Sequence, residues 1–66
     1  MSIGKTIRAL RKERGLSQTE LADILFLSQD TISLWELDKS LPDARNIISL
    51  CKFFKVSADY LLDLEN

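Results

Sequence analysis

Two helix starts, Ser17 and Ser28, stand close together in the middle of this sequence and limit the folds open to it. Ser17-Gln18-Thr19-Glu20 is a capping box, in which the Ser17 hydroxyl accepts a backbone N–H three residues on and Glu20 reaches back. Ser28 is a second N-cap candidate. The sequence therefore predicts two short helices joined by a turn at 26–28.

Similar start and stop signals predict three more helices. The first covers residues 3–14 and ends at Gly15, where a left-handed residue commonly stops a helix. The helix after Ser28 covers 29–37, and a loop spans 39–42. Asp43 and Ser57 cap the last two helices. The apolar stripes of the five helices predict these buried positions: Ile3, Ile7, Leu10, Leu21, Ala22, Leu25, Ile32, Trp35, Ile47, Leu50, Cys51, Phe54, Tyr60 and Leu61, with Leu64 as a further candidate.

The predicted fold class is all-α, a compact bundle of five short helices. A chain of 66 residues makes one domain, 1–66. The helices on either side of the turn, at about 17–37, have the sequence form of a helix-turn-helix. That pattern alone is weakly specific, because any helical hairpin could give it.

Several function classes are excluded by what the chain lacks. It has no His and one cysteine, Cys51, so Cys/His metal sites, His acid–base catalysis and an internal disulfide are all excluded. Gly4 and Gly15 are its only glycines, which leaves no phosphate-binding loop. We expect no enzyme and no cofactor. With no membrane-length apolar run and no signal peptide, we expect a soluble cytoplasmic protein.

Charge is distributed unevenly along the chain. The formal net charge is −1, with +4 over residues 1–15 and −4 over residues 16–37. Phosphate neutralisation by Lys and Arg supplies most of the non-specific affinity of nucleic-acid binders. The basic N-terminal segment could face an anion, whereas the middle segment alone would not.

The sequence resembles the phage repressor and Cro-like domains of the xenobiotic-response-element (XRE) family of helix-turn-helix transcriptional regulators. The likeness runs over nearly the whole chain. It is carried by Ile7-Arg8-Ala9-Leu10-Arg11, Gly15-Leu16-Ser17-Gln18-Thr19-Glu20-Leu21-Ala22, Ser28, Thr31-Ile32-Ser33, Trp35-Glu36, Pro42 and Val56-Ser57. The resemblance implies a five-helix lambda-repressor-like fold that binds a double-stranded DNA operator, usually as a homodimer, with its third helix in the major groove.

With Ile32 and Trp35 pointing inward, the opposite face of the third helix presents side chains suited to base edges. Gln29 could pair with adenine, Asp30 could accept from cytosine, and Leu34 could pack on a thymine methyl. Ser33 is permissive, and Leu37 lies on the same face. This face could equally be an ordinary solvated surface. Asp30 could equally be a first-turn residue that the helix dipole favours.

The resemblance also implies which residues contact phosphates and which hold the third helix. Gln18, Ser28, Lys39 and Arg45 match positions near the DNA backbone, helped by helix N-terminal amides. Arg11 and Glu36 match a partly buried salt bridge between the first and third helices.

Three places depart from the family pattern. Phe26 stands where relatives usually carry Gly, so either the turn has another geometry or Phe26 accepts a strained φ. Leu34 replaces a common Arg, Lys or Gln, and Leu37-Asp38 replaces the usual Arg-Gly or Asn-Gly. The third helix therefore has no basic residue.

The predicted function is a sequence-specific DNA-binding transcriptional regulator, with repression as the first expectation. The alternative is a protein-interaction module that keeps this fold with weak or no DNA binding. Its basis is the net negative charge together with the expected exposure of Phe26, Leu34 and Leu37, which could form an apolar patch.

Overall fold

The computed structural model describes residues 2–62, and five α-helices occur in this part of the chain. They are α1 (Ile3–Glu13), α2 (Gln18–Leu25), α3 (Gln29–Glu36), α4 (Ala44–Phe54) and α5 (Ala58–Leu61). No strand occurs among the described residues. The predicted all-α class is confirmed, and the predicted ends of the first and third helices each lie one residue beyond the observed ends.

Each of the last four helices begins at the predicted cap. Both bonds of the capping box are present: the Glu20 amide donates to Ser17 Oγ over 3.0 Å, and the Ser17 amide donates to Glu20 Oε1 over 2.8 Å. Ser28, Asp43 and Ser57 accept backbone amides at the starts of α3, α4 and α5. These caps bond N–H groups that the first helical turn leaves unpaired, so they fix where each helix starts.

The helices enclose one apolar core, to which all five contribute. Its buried apolar residues are Ile7, Leu10, Leu21, Ala22, Ile32, Trp35, Leu50, Phe54 and Leu61. Four other predicted positions pack around that core without being fully buried: Ile3, Leu25, Ile47 and Cys51.

Tyr60 is a wrong prediction, because 44% of it is exposed. Successive helical residues point about 100° apart, and the four-residue helix α5 directs Leu61 into the core. Tyr60 is thereby turned towards solvent. The further candidate Leu64 lies outside the described residues.

The N-terminus of α1 lies directly against the C-terminal end of α3. The Gly4 amide donates to Asp38 Oδ1 over 3.1 Å. A Cβ atom at Gly4 would overlap the Trp35 carbonyl oxygen, so the helices meet closely only because residue 4 is glycine. Asp38 itself is left-handed, with φ 58°. Asp38 follows the C-cap of α3, Leu37, and accepts a first-turn amide of α1, whose N-cap is Ser2.

The other end of α1 is held against the end of α4. Arg14 donates from Nη2 to the Phe54 carbonyl oxygen over 3.1 Å. Its guanidinium also lies 5.5 Å from the ring centre of Phe53 and 5.6 Å from that of Phe54. A cation at a helix C-terminus is favoured by the exposed carbonyls, so Arg14 joins the two helices.

Candidate nucleic-acid interface

The turn between α2 and α3 has the left-handed geometry, so Phe26 accepts the strained conformation. Its φ and ψ are 60° and 42°, and the Leu27 amide donates to the Ala22 carbonyl oxygen over 2.8 Å. Phe26 is 95% exposed. The ring therefore gains no core packing that would offset the cost of about 1–2 kcal/mol for a left-handed residue with a side chain.

The turn sets α3 so that one face packs inward and the other is open. Ile32 and Trp35 are buried, while Gln29 and Asp30 are exposed. Leu34 is 42% exposed and Leu37 is 60% exposed, whereas Ser33 is half-buried. The structure thus brings the four residues predicted to contact bases, Gln29, Asp30, Ser33 and Leu34, onto one face of α3. That they contact bases stays a prediction.

A chain of hydrogen bonds runs from this face into the protein. Gln29 Nε2 donates to Gln18 Oε1 over 2.6 Å. Gln18 Nε2 then donates to Glu36 Oε1 over 3.1 Å. The sequence singled out Gln18, Gln29 and Glu36 for three separate roles, and the structure joins them in one network.

Arg11 and Glu36 form a two-pronged ion pair at the inner end of that network. Arg11 Nε donates to Glu36 Oε2 over 2.7 Å, and Arg11 Nη2 donates to Glu36 Oε1 over 3.0 Å. The Glu36 side chain is only 4% exposed. Arg11 Nη1 donates in addition to the Leu16 carbonyl oxygen over 2.7 Å, so one side chain links α1, the connection before α2, and α3.

The ion pair also affects the acidity of its cation. Hydrogen bonding to Glu36 raises the pKa of Arg11, burial opposes this, and the nearby negative charge adds to the rise. The guanidinium therefore keeps its charge throughout the physiological pH range. A charge buried in this way is stable only while its partner stays in place.

The residues predicted to contact phosphates surround the open face. Ser28 uses its hydroxyl to cap α3 and lies 2.9 Å from the Thr31 hydroxyl, so its exposed oxygen is already bonded. Lys39 and Arg45 are exposed, and neither forms an ion pair with another residue of 2–62. Gln18 is half-buried at the first position of α2. Their contacts with phosphate stay predictions.

A cleft of about 250 Å³ opens beside the exposed face of α3. It is lined by Arg8, Arg11, Gln18, Ser33, Glu36 and Leu37. No contact was predicted for Arg8 from the sequence. The structure places this exposed cation at the cleft, near two of the predicted contact residues. Its position depends on how α1 crosses α3, which no local pattern in the sequence reveals.

Two simpler observations concern the described part of the chain as a whole. Among residues 2–62, no helix has the length and apolar character needed to cross a membrane. The same residues contain no cluster of three or more His, Cys, Asp or Glu side chains arranged to hold a metal ion.

The capped helices, the left-handed turn and the open face of α3 define a helix-turn-helix domain. The chain belongs to the family described as "Helix-turn-helix domain", whose family model matches residues 4–66. The predicted likeness to phage-repressor-type regulators is confirmed by its relatives.

Three characterised relatives match over most of this chain. It is 36% identical over 62 residues to the transcriptional regulator ImmR of Bacillus subtilis (strain 168), covering 94% of this chain and 49% of ImmR. It is 37% identical over 60 residues to repressor protein C2 of Salmonella phage P22, covering 91% of this chain and 28% of C2. It is 35% identical over 65 residues to the transcriptional activator BcrR of Enterococcus faecalis, covering 98% of this chain and 32% of BcrR. The chain thus spans 28% to 49% of these relatives' lengths.

Solved structures show the same fold. The P22 c2 repressor in complex with a synthetic operator superposes with a TM-score of 0.88 at 35% identity, covering 94% of both chains. A transcriptional regulator from Listeria innocua gives a TM-score of 0.89 at 26% identity, over 94% of this chain and 58% of that one. The predicted lambda-repressor-like fold is confirmed.

Proposed function

We propose that this chain is a single sequence-specific DNA-binding domain of a transcriptional regulator, and that α3 enters the major groove. The main support for this proposal is the structural likeness to the P22 c2 repressor, which covers 94% of both chains. That repressor was solved in complex with a synthetic operator. The exposed side of α3 is free to approach a ligand, and its opposite side is fixed to the core.

Specificity in this proposal comes from short contacts to base edges. Gln29 pairs with adenine, Asp30 accepts from a cytosine amino group, and Leu34 packs on a thymine methyl. Ser33 lies between them and can bond to several bases. Because Asp30 repels phosphates, the reading face discriminates between sequences more than it adds affinity.

Affinity in this proposal comes from the rim of the face. Lys39 and Arg45 are exposed cations without a partner among residues 2–62. Gln18 stands at the N-terminal end of α2, where backbone amides and the helix dipole favour an anion. We add Arg8 to this set, because it lines the cleft beside α3.

We further propose that the domain binds as a homodimer on a two-fold operator. One eight-residue helix reads few base pairs, whereas a dimer places two such helices about one helical turn apart. Exposed apolar side chains on α4, on α5 and directly after α5 are available for a partner copy: Ile48, Tyr60 and Leu62. Occupying a promoter is enough to repress it, which makes repression the simplest outcome. A cytoplasmic location is part of this proposal, because the regulators that this chain resembles act on DNA in bacterial cells.

The protein-interaction alternative is less well supported. Phe26, Leu34 and Leu37 are indeed exposed, as that alternative requires. Of the three relatives described above, one is named as a transcriptional regulator, one as a transcriptional activator and one as a repressor. The solved structure of the P22 c2 repressor contains a synthetic operator. The same exposed leucines can serve as contacts to thymine methyls.

The test is selection of bound sequences from random duplex DNA, followed by affinity measurements over a salt series. We expect a preferred sequence, with preference at one position lost in Gln29→Ala. Each phosphate contact contributes about 0.9 to the slope of log affinity against log salt, so Lys39→Met should flatten the slope by about that amount per half-site. Lys52→Met removes the same charge from an exposed residue of α4 and serves as the control. Absence of any sequence-selective complex at low salt would refute the proposal.

A further inference from the structure

Phe26 is an aromatic side chain that makes almost no packing contact with the described part of its own chain. Its ring is 95% exposed, and its left-handed backbone disfavours a side chain. On the preceding turn of α2, Ile24 is 40% exposed, and Glu20 and Asp23 are exposed as well. Residues three and four apart on a helix are surface neighbours, so these side chains form one surface. We call Glu20, Asp23, Ile24 and Phe26 the turn patch.

The charge of the turn patch determines what it can bind. Residues 16–37 carry a formal charge of −4 and contain no Lys or Arg. The patch therefore repels DNA phosphates and attracts a cationic surface. Asp23 forms no ion pair with another residue of 2–62, so its carboxylate is available to a partner. The exposed ring adds a second preference for cations, because ammonium groups are attracted to an aromatic face.

The outer side of α1 carries a surface with the matching properties. Lys5, Ala9 and Lys12 are exposed and lie four and three residues apart, so they form one row on the side of α1 that faces away from the core. Arg8 and Glu13 border this row on its two sides. Ala9 leaves a flat apolar gap between the two lysine stems. Neither lysine forms an ion pair with another residue of 2–62. We call Lys5, Ala9 and Lys12 the α1 row.

We propose that the turn patch of one copy of this chain docks on the α1 row of a second copy. The Phe26 ring then covers Ala9 between the two lysine stems, and the carboxylates of the patch approach the ammonium groups. The two surfaces are of similar length. At a rise of about 1.5 Å per residue, Lys5 to Lys12 spans roughly 10 Å and Glu20 to Phe26 roughly 9 Å.

The partner is a second copy because one copy does not bring the two surfaces together. The 95% exposure of Phe26 means that its ring does not cover Ala9 of its own chain. The α1 row belongs to a segment with charge +4 and the turn patch to a segment with charge −4, so two copies attract each other at these places. This contact joins two unlike surfaces, whereas the two-fold dimer proposed above joins like ones. It leaves one surface of each copy free and can continue into a row of copies.

The contact is small, so it is weak in solution. Four residues against three bury far less than the roughly 1,200–2,000 Å² of a stable interface. Two copies held on neighbouring operators have a high effective concentration, which strengthens a weak contact between them. We therefore expect it to act mainly between copies bound side by side on DNA. Only this consequence rests on the proposed function.

An NMR titration of the free domain, from micromolar to millimolar concentration, tests the contact directly. The ring current of a docked Phe26 should move the Ala9 methyl signal upfield as the concentration rises. Phe26→Ala should abolish this shift, and added salt should reduce it because the attraction between the charges is screened. Leu41→Ala removes another exposed apolar side chain and should leave the shift in place. An Ala9 signal that does not move in the unaltered domain would overturn the inference.

A mixture of two variants tests whether unlike surfaces meet. Phe26→Ala keeps only the α1 row, and the double variant Lys5→Glu, Lys12→Glu keeps only the turn patch, so neither should associate with itself through this contact. In the mixture, the Ala9 methyl signal should shift when the Phe26→Ala copy is isotope-labelled and stay in place when the other copy is labelled. A shift in both copies, or in neither, would overturn the inference.

The control for the charge reversal is the double variant Lys52→Glu, Lys55→Glu. It makes the same change of charge at two exposed positions on and directly after α4. Because its turn patch and its α1 row are both intact, it should show the concentration-dependent Ala9 shift by itself. Loss of the shift in this control as well would mean that net charge, and not the α1 row, governs the association, and would overturn the inference.

On DNA, two operators are placed at spacings that increase by one base pair. The unaltered domain should bind them with a cooperativity of about tenfold, at spacings that recur with the helical turn of about 10 base pairs. Phe26→Ala should lose this cooperativity and keep its affinity for a single operator. Cooperativity that persists in Phe26→Ala would overturn the role of the contact on DNA. If no selective DNA complex forms, the proposed function fails, and the two NMR experiments decide the contact by themselves.

Discussion

The two ends of α3 differ in how they are held. At the C-terminal end, Glu36 pairs with Arg11, and Asp38 accepts the Gly4 amide, so both contacts reach α1. At the N-terminal end, the chain turns through Phe26, whose ring is almost fully exposed. Both turns contain a left-handed residue with a side chain. At the C-terminal end, the strained conformation of Asp38 is thus offset by its hydrogen bond to Gly4. At the N-terminal end, the strained conformation of Phe26 leaves its side chain exposed to solvent.

The largest expected effect comes from breaking the ion pair at the anchored end. Glu36→Ala leaves the Arg11 charge poorly solvated, and the loss of unfolding free energy should be roughly 3–5 kcal/mol. Urea titration followed by circular dichroism measures it. The double variant Arg11→Met, Glu36→Met should recover much of the loss, because no unpaired charge remains. A Glu36→Ala domain as stable as the unaltered one would show that this end of α3 is not anchored by the pair.

The same pair has a definite pH behaviour on the Arg11 side. Because its folded pKa is raised, the contribution of Arg11 is complete below the unfolded pKa and is lost only as pH rises through the folded one. Both values lie above the physiological range. We therefore expect the Arg11→Met cost to be constant from neutral to mildly alkaline pH. A cost that falls steadily over that interval would contradict this assignment.

The next effect concerns the close contact between α1 and α3. Gly4→Ala places a methyl group against the Trp35 carbonyl oxygen and should cost about 1–3 kcal/mol, as overpacking does. Gly15→Ala is the informative control, because space is open there and only its φ of 68° resists a side chain. Amide hydrogen exchange should be accelerated at the start of α1 in Gly4→Ala alone. Equal exchange in both variants would show that the contact is looser than described.

A smaller effect should separate the two roles of Asp38. Asp38→Ala loses the bond to Gly4 while keeping a left-handed side chain, and should cost about 1 kcal/mol or slightly more. Asp38→Gly loses the same bond but relieves the strained conformation, so its stability should fall clearly less. Thermal unfolding of the two variants measures the difference. Identical melting temperatures would mean that strain at this position is negligible.

The smallest effect is a gain at the free end. Phe26→Gly should stabilise the domain by about 0.5–1 kcal/mol, because the left-handed turn no longer carries a Cβ atom. For a domain of this size, that corresponds to a rise in Tm of a few degrees, at about 4–8 °C per kcal/mol. Phe26→Ala keeps the Cβ atom and should leave Tm nearly unchanged. A drop in Tm for both variants would show that the Phe26 ring contributes packing.

The sequence predicts local features of this fold well and tertiary ones poorly. The caps Ser17, Ser28 and Asp43 are found because each bonds within its own first turn. Tyr60 was misplaced because a four-residue helix gives the apolar periodicity too few residues to define a face. The bond between Gly4 and Asp38 joins residues far apart in the chain, and neither residue signals it locally.

In the candidate site too, local features could be predicted from the sequence and tertiary contacts could not. Helical spacing alone places Gln29, Asp30, Ser33 and Leu34 on one face, and the structure shows that arrangement. The hydrogen bonds that join Gln18 to Gln29 and to Glu36 were not predicted, because they depend on how side chains of α2 and α3 meet in space. Arg8 was passed over for the same reason. Chemistry that acts through side-chain contacts between helices requires the tertiary structure.

The contact of Gly4 with Asp38 also bears on how the chain folds. It joins residues 34 positions apart, and the ion pair joins residues 25 apart, whereas α2 and α3 are neighbours in sequence. Closing a longer loop costs more chain entropy, although the cost grows only slowly with length. We expect the α2–α3 hairpin to form early and the docking of α1 to set the folding rate. The step that orients α3 would then be the step that completes the native state.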